Sequence, residues 1–446
     1  MLLLIVMLCM IITANAAGFN IAKYILDTLR LRFKFCKYCA TMQVTNHGGS
    51  YMYDFTTIVD RKNTGSLKWD HTPENIKKAG LAPLSIADME FKVAPQITRA
   101  IIKAAEHGVY GYTGADDEYY NAVRGYYIRR HGYEVKREWH TVTGGIVPAL
   151  SLAVKTFARP DEGVIIQSPV YTPFFRAIEM NGRKVAENRL ILKDGRYEMD
   201  LENLEKLCAR DDIHLMILCS PHNPVGRVWR EEELLAVGRI CKKHGVFVLA
   251  DEIHCDILLN GAKHHSFLTF DEFLDNCMVC TAMSKTFNVA GLLCSDIFIP
   301  NRERYDSFTL EKMRSMADTV PYFARAASIA AHNDCDEWID EMINAIEANF
   351  NTFYGFIGAR LPMLKCIRAE GTYLAWLDMR ALGLNDEEQK KMHVDAYLDL
   401  DEGYIFGANG SGFARWNLAL PESELIKALE RLENAIKPIL KKRGLI

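Results

Sequence analysis

Four apolar runs in this chain each lead to a residue able to do chemistry. "GVIIQSPVY" ends on Tyr171, "HLMILCSPHNP" reaches Asn223, "VFVLADEIH" carries Asp251, and "MVCTAMSK" ends on Lys285. A lysine closing a buried run is costly unless it is exposed, paired or held covalently, because desolvation disfavours an ammonium by several pKa units. A fifth feature, "TVTGGIVPAL", sets the turn Gly144–Gly145 ahead of a helical run, whose free N–H groups can hold a phosphate. Pyridoxal 5'-phosphate needs all of these: a lysine to take its aldehyde as a Schiff base, a carboxylate for its ring nitrogen, an aromatic for its face and a helix N-terminus for its phosphate. Ser284, beside the lysine, adds a hydroxyl near the phosphate. Singly, each feature has a plainer reading. A Gly-Gly turn is usually only a turn, Asp251 with Glu252 also suits a solvated loop or a metal, Asn223 shapes a proline-rich turn, and Tyr171 suits a core. Their order and spacing together favour the cofactor.

Periodicity supplies the elements that must hold these groups. The four runs are short, continuously apolar and separated by helical segments such as "REEELLAVGRICKKHG", which describes buried strands of a mostly parallel sheet. Ligands of such sheets bind outside the carboxyl ends of the strands, where the four residues fall. "PQITRAIIKAAEHG" reads as a helix with Ile97, Ile101 and Ala104 on one face. In the last hundred residues, "GTYLAWLDM" and "GFARWNLAL" read as strands. "ESELIKALERLENAIKPILKKR" reads as an amphipathic helix with Leu425, Leu429, Leu432, Ile436 and Ile439 on its stripe. The fold class is α/β: a large domain over 95–340, a smaller C-terminal α+β domain over 341–446, and an arm with a small-domain segment over 52–94.

Composition bounds the partners. The 446 residues carry a net charge of -4 and show no concentrated basic face after residue 50, which argues against nucleic acid. The 12 cysteines are scattered, with Cys219, Cys255 and Cys294 in apolar surroundings, as expected of reduced thiols in a cytoplasmic protein. The CxxC pairs Cys36/Cys39 and Cys277/Cys280 are read as neither metal nor redox sites, and "KHH" at Lys263–His265 as a surface turn. Residues 1–16 have an apolar core and an Ala-x-Ala end but no basic start. The stretch 1–51 therefore reads as an over-extended start outside the fold, with a signal or anchor, and hence export, as the alternative.

"SPHNPVGRVW", "DEIHCD" and "SKTFNVAG", in that order, resemble fold-type I pyridoxal-phosphate enzymes of the class I/II aminotransferase superfamily. Within it, the chain is most similar to the MalY/PatB group of C–S lyases, the cystathionine β-lyase-like enzymes. The resemblance runs from about Tyr53 to the C-terminus and includes "IADMEF", "YGYT", "TYLAWLD" and "GFARWNLA". It implies Lys285 as Schiff-base lysine and proton carrier, Asp251 at the pyridine nitrogen, Asn223 at the ring 3-oxygen and Tyr171 stacked on the ring. It further implies Gly145, Ile146 and Val147 as backbone donors to the phosphate, Ser284 as a hydroxyl donor, and Arg415 as the clamp on the substrate α-carboxylate. Tyr112 would reach the phosphate from a neighbouring subunit, so a homodimer is implied. His254, where aminotransferases usually carry tyrosine, and Leu293, where aspartate aminotransferases carry a phosphate-binding arginine, favour a lyase. The implied reaction is β-elimination from cystathionine, cysteine or a cysteine S-conjugate to a thiol, pyruvate and ammonia, with aminotransfer as the alternative. Glu90, Gly144 and Trp416 depart from the group's usual residues, and Glu90 and Trp416 are expected to bear on side-chain preference.

Overall fold

Residues buried on both faces of a sheet are mostly apolar, and the central strands are so apart from His214 and, at the strand ends, Asp251 and Thr281. The computed structural model describes residues 52–317 and 319–443. The readings placed on residues 1–51, including the leader, Cys36 and Cys39, lie outside the described residues. In chain order the large sheet contains β1 (His140–Thr143), β2 (Gly163–Ile166), β3 (Lys184–Glu187), β4 (Ile213–Cys219), β5 (Phe247–Asp251), β6 (Cys277–Thr281) and β7 (Ser295–Phe298). Their spatial order is β1-β7-β6-β5-β4-β2-β3. β3, β2, β4, β5 and β6 are mutually parallel, and β7 runs antiparallel to both β6 and β1. The expected mostly parallel sheet is therefore present. Helices such as Ile146–Phe157 and Glu231–Lys243 cover it, each burying one apolar face.

The C-terminal strands form a separate antiparallel sheet of four, ordered Lys365–Ile367, Leu374–Asp378, Phe413–Asn417 and Asp401–Glu402. The helix Glu422–Lys442 buries Leu425, Leu429, Leu432 and Ile436, each fully buried side chain contributing roughly 1.5–3 kcal/mol. The long helix Asp336–Arg360 passes through residue 340 without a break.

The segment 84–91 ties these parts together through its backbone. Leu84 donates to the Asp399 carbonyl and Glu90 to that of Ala419, each at 2.8 Å. Asn417 Nδ2 donates to the carbonyls of Ile86 (2.9 Å) and Asp88 (2.6 Å). Asn288 Nδ2 donates to those of Met89 (3.0 Å) and Phe91 (2.8 Å), and its Oδ1 accepts from Met89 N at 2.9 Å. Two amide side chains, one three residues after Lys285 and one two residues after Arg415, thus hold a single loop against both candidate groups.

Among the described residues the nine cysteines are all free, and all but the half-buried Cys366 are buried, Cys277 and Cys280 included. Lys263–His265 is not simply a surface turn: the His264 ring is turned inward, its Nε2 3.1 Å from the buried carboxylate of Glu252. A buried acid needs such a partner, and this one also accepts from Phe267 N at 2.8 Å. Among the described residues no helix is long and apolar enough to cross a membrane.

Candidate active site

The parallel register brings the strand ends together. Asp251 closes β5 and pairs in register with Cys219 on β4 and Cys280 on β6. One residue beyond β6 the chain turns into the short helix Met283–Thr286, which carries Lys285. The lysine is half-buried, and its Nζ donates to the Ala87 carbonyl at 2.6 Å. The same carbonyl accepts from Tyr373 Oη at 2.8 Å. Burial and then the Arg415 charge lower the Lys285 pKa to about 8. The amine is therefore part free base near neutrality, as a proton acceptor must be.

Asp251 is buried, and burial raises its pKa to about 7, against a bond of 3.2 Å from Ile253 N and the charge of Lys285. Among the described residues this carboxylate makes no ion pair, which suits it to meeting a cation on a ligand. His254, three residues on, is also buried, its ring edge-on to Tyr373 at 5.7 Å. Burial and the charges of Lys285 and Arg415 push its pKa down to about 3, so the ring is neutral.

Arg415 lies on the strand Phe413–Asn417, where alternate residues share a face. Its Nη1 donates to Asn223 Oδ1 at 3.0 Å and its Nη2 to the Ser85 carbonyl at 2.9 Å. It also pairs with Asp401, and its guanidinium sits 5.0 Å over the Phe406 ring. Arg415 and Asn223 are thus in direct contact. Among the described residues, Arg415 Nε and His254 Nδ1 are buried with no hydrogen-bond partner. Tyr171 is half-buried, edge-on to Phe174 at 5.9 Å. Burial and then Asp251 raise its pKa to about 12.

The turn after β1 carries the two glycines. Gly145 caps the helix Ile146–Phe157 with φ 118°, a conformation that L side chains rarely adopt. Its carbonyl accepts from Thr143 Oγ1 at 3.0 Å and Ala149 N at 3.3 Å. That leaves the first N–H groups, at Gly145, Ile146 and Val147, pointing out of the helix end. A Cβ placed on Gly144 would stand 4.0 Å from the Leu293 carbonyl, so Leu293 borders this turn. Ser284 is half-buried on the lysine-bearing turn. Tyr112 stands apart, fully exposed on its loop.

Two expectations change. Trp416 does not stand with the site residues: it takes the opposite strand face from Arg415 and packs on Phe353, ring centroids 5.5 Å apart. Glu90 is consumed by a buried ion cluster, 2.8 Å from Lys68 Nζ, 3.0 Å from Arg61 Nη1 and 3.0 Å from Trp69 Nε1. Sequence reading missed Ala87, Ser85 and Tyr373. The first two act through backbone carbonyls, which leave no residue signature; Tyr373 lay inside the quoted "TYLAWLD" without a role. Taken together, a part-neutral lysine, a buried carboxylate, an aromatic, an amide-linked arginine and a helix N-terminus opened by a glycine fit pyridoxal phosphate.

Comparison with known proteins agrees. Residues 80–432 match the family model described as aminotransferase class I and II. The cystathionine β-lyase PatB of Bacillus subtilis is 40% identical over 385 residues, 86% of this chain and 100% of that protein. Protein MalY of Escherichia coli is 31% identical over 391 residues, 87% and 100% of the two chains. The crystal structure of cystalysin from Treponema denticola, which contains a pyridoxal 5'-phosphate cofactor, superposes with a TM-score of 0.84 at 38% identity, covering 87% of this chain and 100% of that one. With its fold, its strand-end residues and this coverage, the chain belongs to the class I and II aminotransferase family, the fold-type I pyridoxal-phosphate enzymes.

Proposed function

We propose that this protein is a pyridoxal-phosphate-dependent C–S β-lyase that cleaves L-cystathionine, cysteine or a cysteine S-conjugate to a thiol, pyruvate and ammonia. The observation that carries the reading is the juxtaposition of a lysine whose pKa is about 8 with buried Asp251 and with Arg415, itself bonded to Asn223. Relatives named cystathionine β-lyase support the choice of reaction. When bound, pyridoxal phosphate supplies an aldehyde that captures amines and a ring that takes up an electron pair. Lys285 would hold that aldehyde, and its Nζ, when free, would take the α-proton of the substrate. Asp251 would keep a proton on the ring nitrogen, Asn223 would bond the 3-oxygen, and Tyr171 would cover the ring. Gly145, Ile146, Val147 and Ser284 would hold the phosphate, while neutral His254 lies beside Lys285. The Cβ–S bond then breaks with its electron pair on sulfur, which leaves as the thiol after protonation. The remaining enamine and one water give pyruvate and ammonia.

Arg415 binds the α-carboxylate, a planar two-point task that suits guanidinium. Arg415→Ala is expected to raise KM for cystathionine roughly 10–100-fold, the value of one or two charge-assisted bonds, with kcat less affected; steady-state kinetics check this. A homodimer is part of the proposal. Tyr112 is exposed beside Val109 (67% exposed) and Tyr110 (55% exposed), an apolar loop suited to crossing into a neighbouring subunit's site. The partition into an arm over 52–94, a cofactor domain over 95–340 and a small domain over 341–446 belongs to the same reading, as does a cytoplasmic location, which the free thiols support. Turnover of cystathionine with no keto acid added tests the reaction type: a strict requirement for a keto acid would replace elimination with aminotransfer.

A further inference from the structure

Behind the lysine turn lies a second buried polar group that the reaction does not use. Asp256, its side chain 8% exposed, receives three hydrogen bonds. Tyr126 Oη (2.7 Å) and His131 Nε2 (2.8 Å) meet its Oδ1, and Thr286 Oγ1 donates to its Oδ2 at 2.6 Å. Thr286 is the residue after Lys285.

The backbone carrying the first two donors is unusual. The helix Asp117–Tyr126 continues as a single π-helical turn, Tyr127–His131, ended by Gly132 at φ 75°. π-Helix accounts for well under 1% of residues in proteins and recurs at functional sites. In an α-helix, residues five apart point about 140° away from each other. The wider turn instead aims Tyr126 and His131 at one oxygen atom, which gives the irregularity a purpose. With three donors on its two oxygens, Asp256 is held well below the usual carboxylate range despite its burial. Cys255 lies in the same cluster. Burial raises its thiol pKa, and with the carboxylate already engaged we assign no metal to the group.

We propose that the π turn, Asp256 and Thr286 form a positioning device that fixes the turn bearing Lys285 at the ends of β5 and β6. The inference rests on the role of Lys285 given above. Lys285 must exchange a covalent link for a free amine on each turnover while its backbone stays in place. The short helix Met283–Thr286 contains only four residues, too few to hold itself. The Thr286 hydroxyl ties this turn to Asp256, in the turn that follows β5, and Tyr126 and His131, one just before and one at the end of the π turn, fasten the carboxylate. Thr286, Asp256, Tyr126 and His131 are positioning residues and touch no reacting atom.

The test uses the full chain with two readouts: hydrogen–deuterium exchange of the peptide over 283–289 without cofactor, and steady-state kinetics of the loaded enzyme. Thr286→Val, nearly isosteric but unable to donate, is expected to speed exchange of that peptide at least tenfold. It should also lower kcat about tenfold while KM changes less than twofold, and Thr286→Ser should restore both. Wild-type exchange and kinetics in Thr286→Val would overturn the proposal, as would failure of serine to rescue. If the valine variant does not fold, Tyr126→Phe replaces it, removing one bond to Asp256 without touching the turn; faster exchange over 283–289 supports the device and unchanged exchange overturns it. Should wild type bind no pyridoxal phosphate, the proposed function fails, yet exchange in the cofactor-free chain still decides this inference.

Discussion

Lys285→Ala is expected to eliminate turnover, by about 10³–10⁴-fold or more, because one substitution removes both the covalent anchor and the group that moves the α-proton. The yellow absorption of the lysine-linked cofactor should vanish with it. Lys68 is a second lysine whose charge reaches this site, and its Nζ is engaged, 2.8 Å from Glu90 and 3.3 Å from Asp88. The fold should survive. The Lys285 pKa falls from 10.5 to about 8 in the folded chain, so its favourable contribution is present above about pH 10.5 and lost as pH falls through 8. At pH 7 the ammonium therefore costs the folded state stability, and its removal should leave the cofactor-free protein at least as stable as wild type. Absorbance, product assays and thermal melts on the same preparation check all three outcomes. Retained yellow absorbance would place the covalent link on another lysine.

Asp251→Asn should show the opposite of a normal core mutation, losing activity while gaining stability. Asp251 is 2% exposed, and its pKa is raised from 3.8 to about 7 without cofactor, with burial as the main cause. A carboxyl with a raised folded pKa contributes stability fully below about pH 4 and loses it as pH climbs through 7. At pH 8, ionised Asp251 therefore costs up to about 4 kcal/mol, which asparagine avoids at similar size. Urea unfolding of the cofactor-free proteins is expected to favour Asp251→Asn at pH 8, with the difference shrinking towards pH 4. The same change should lower kcat by about 10²-fold or more, since an amide cannot hold a proton on the ring nitrogen through charge. A destabilised variant at pH 8 would mean that Asp251 is satisfied within the protein and is not waiting for a cationic partner. Functional groups commonly lower stability in this way.

Much of this site was legible because the period-free apolar runs of a parallel sheet announce their ends, and the ends are where ligands bind. Tyr171, Asn223, Asp251 and Lys285 could be read off in order, and Gly145 could be read as a turn because the cradle demands a backbone that glycine adopts freely. Arg415 came from resemblance: nothing in an alternating strand distinguishes a clamp from an ion pair. What stayed hidden acts through the main chain or depends on facing. The Ala87 carbonyl that receives Lys285 Nζ has no side-chain signature. Asn288 and Asn417 could not be seen to converge on one loop, since their partners lie 197–199 and 329–331 residues away. Trp416 was misjudged because its face of the strand, set by pairing with Ala375, was unknown. His264 looked like a surface residue because its partner Glu252 gave no sign of being buried.

The measurement that tests the central claim most directly is the stoichiometry of pyruvate and free thiol released from L-cystathionine by the purified yellow protein, with no keto acid present. Equal amounts of the two, rising together over many turnovers, are expected of a C–S β-lyase. No pyruvate, with loss of the yellow absorbance that an added keto acid restores, would contradict the lyase and make the protein an aminotransferase.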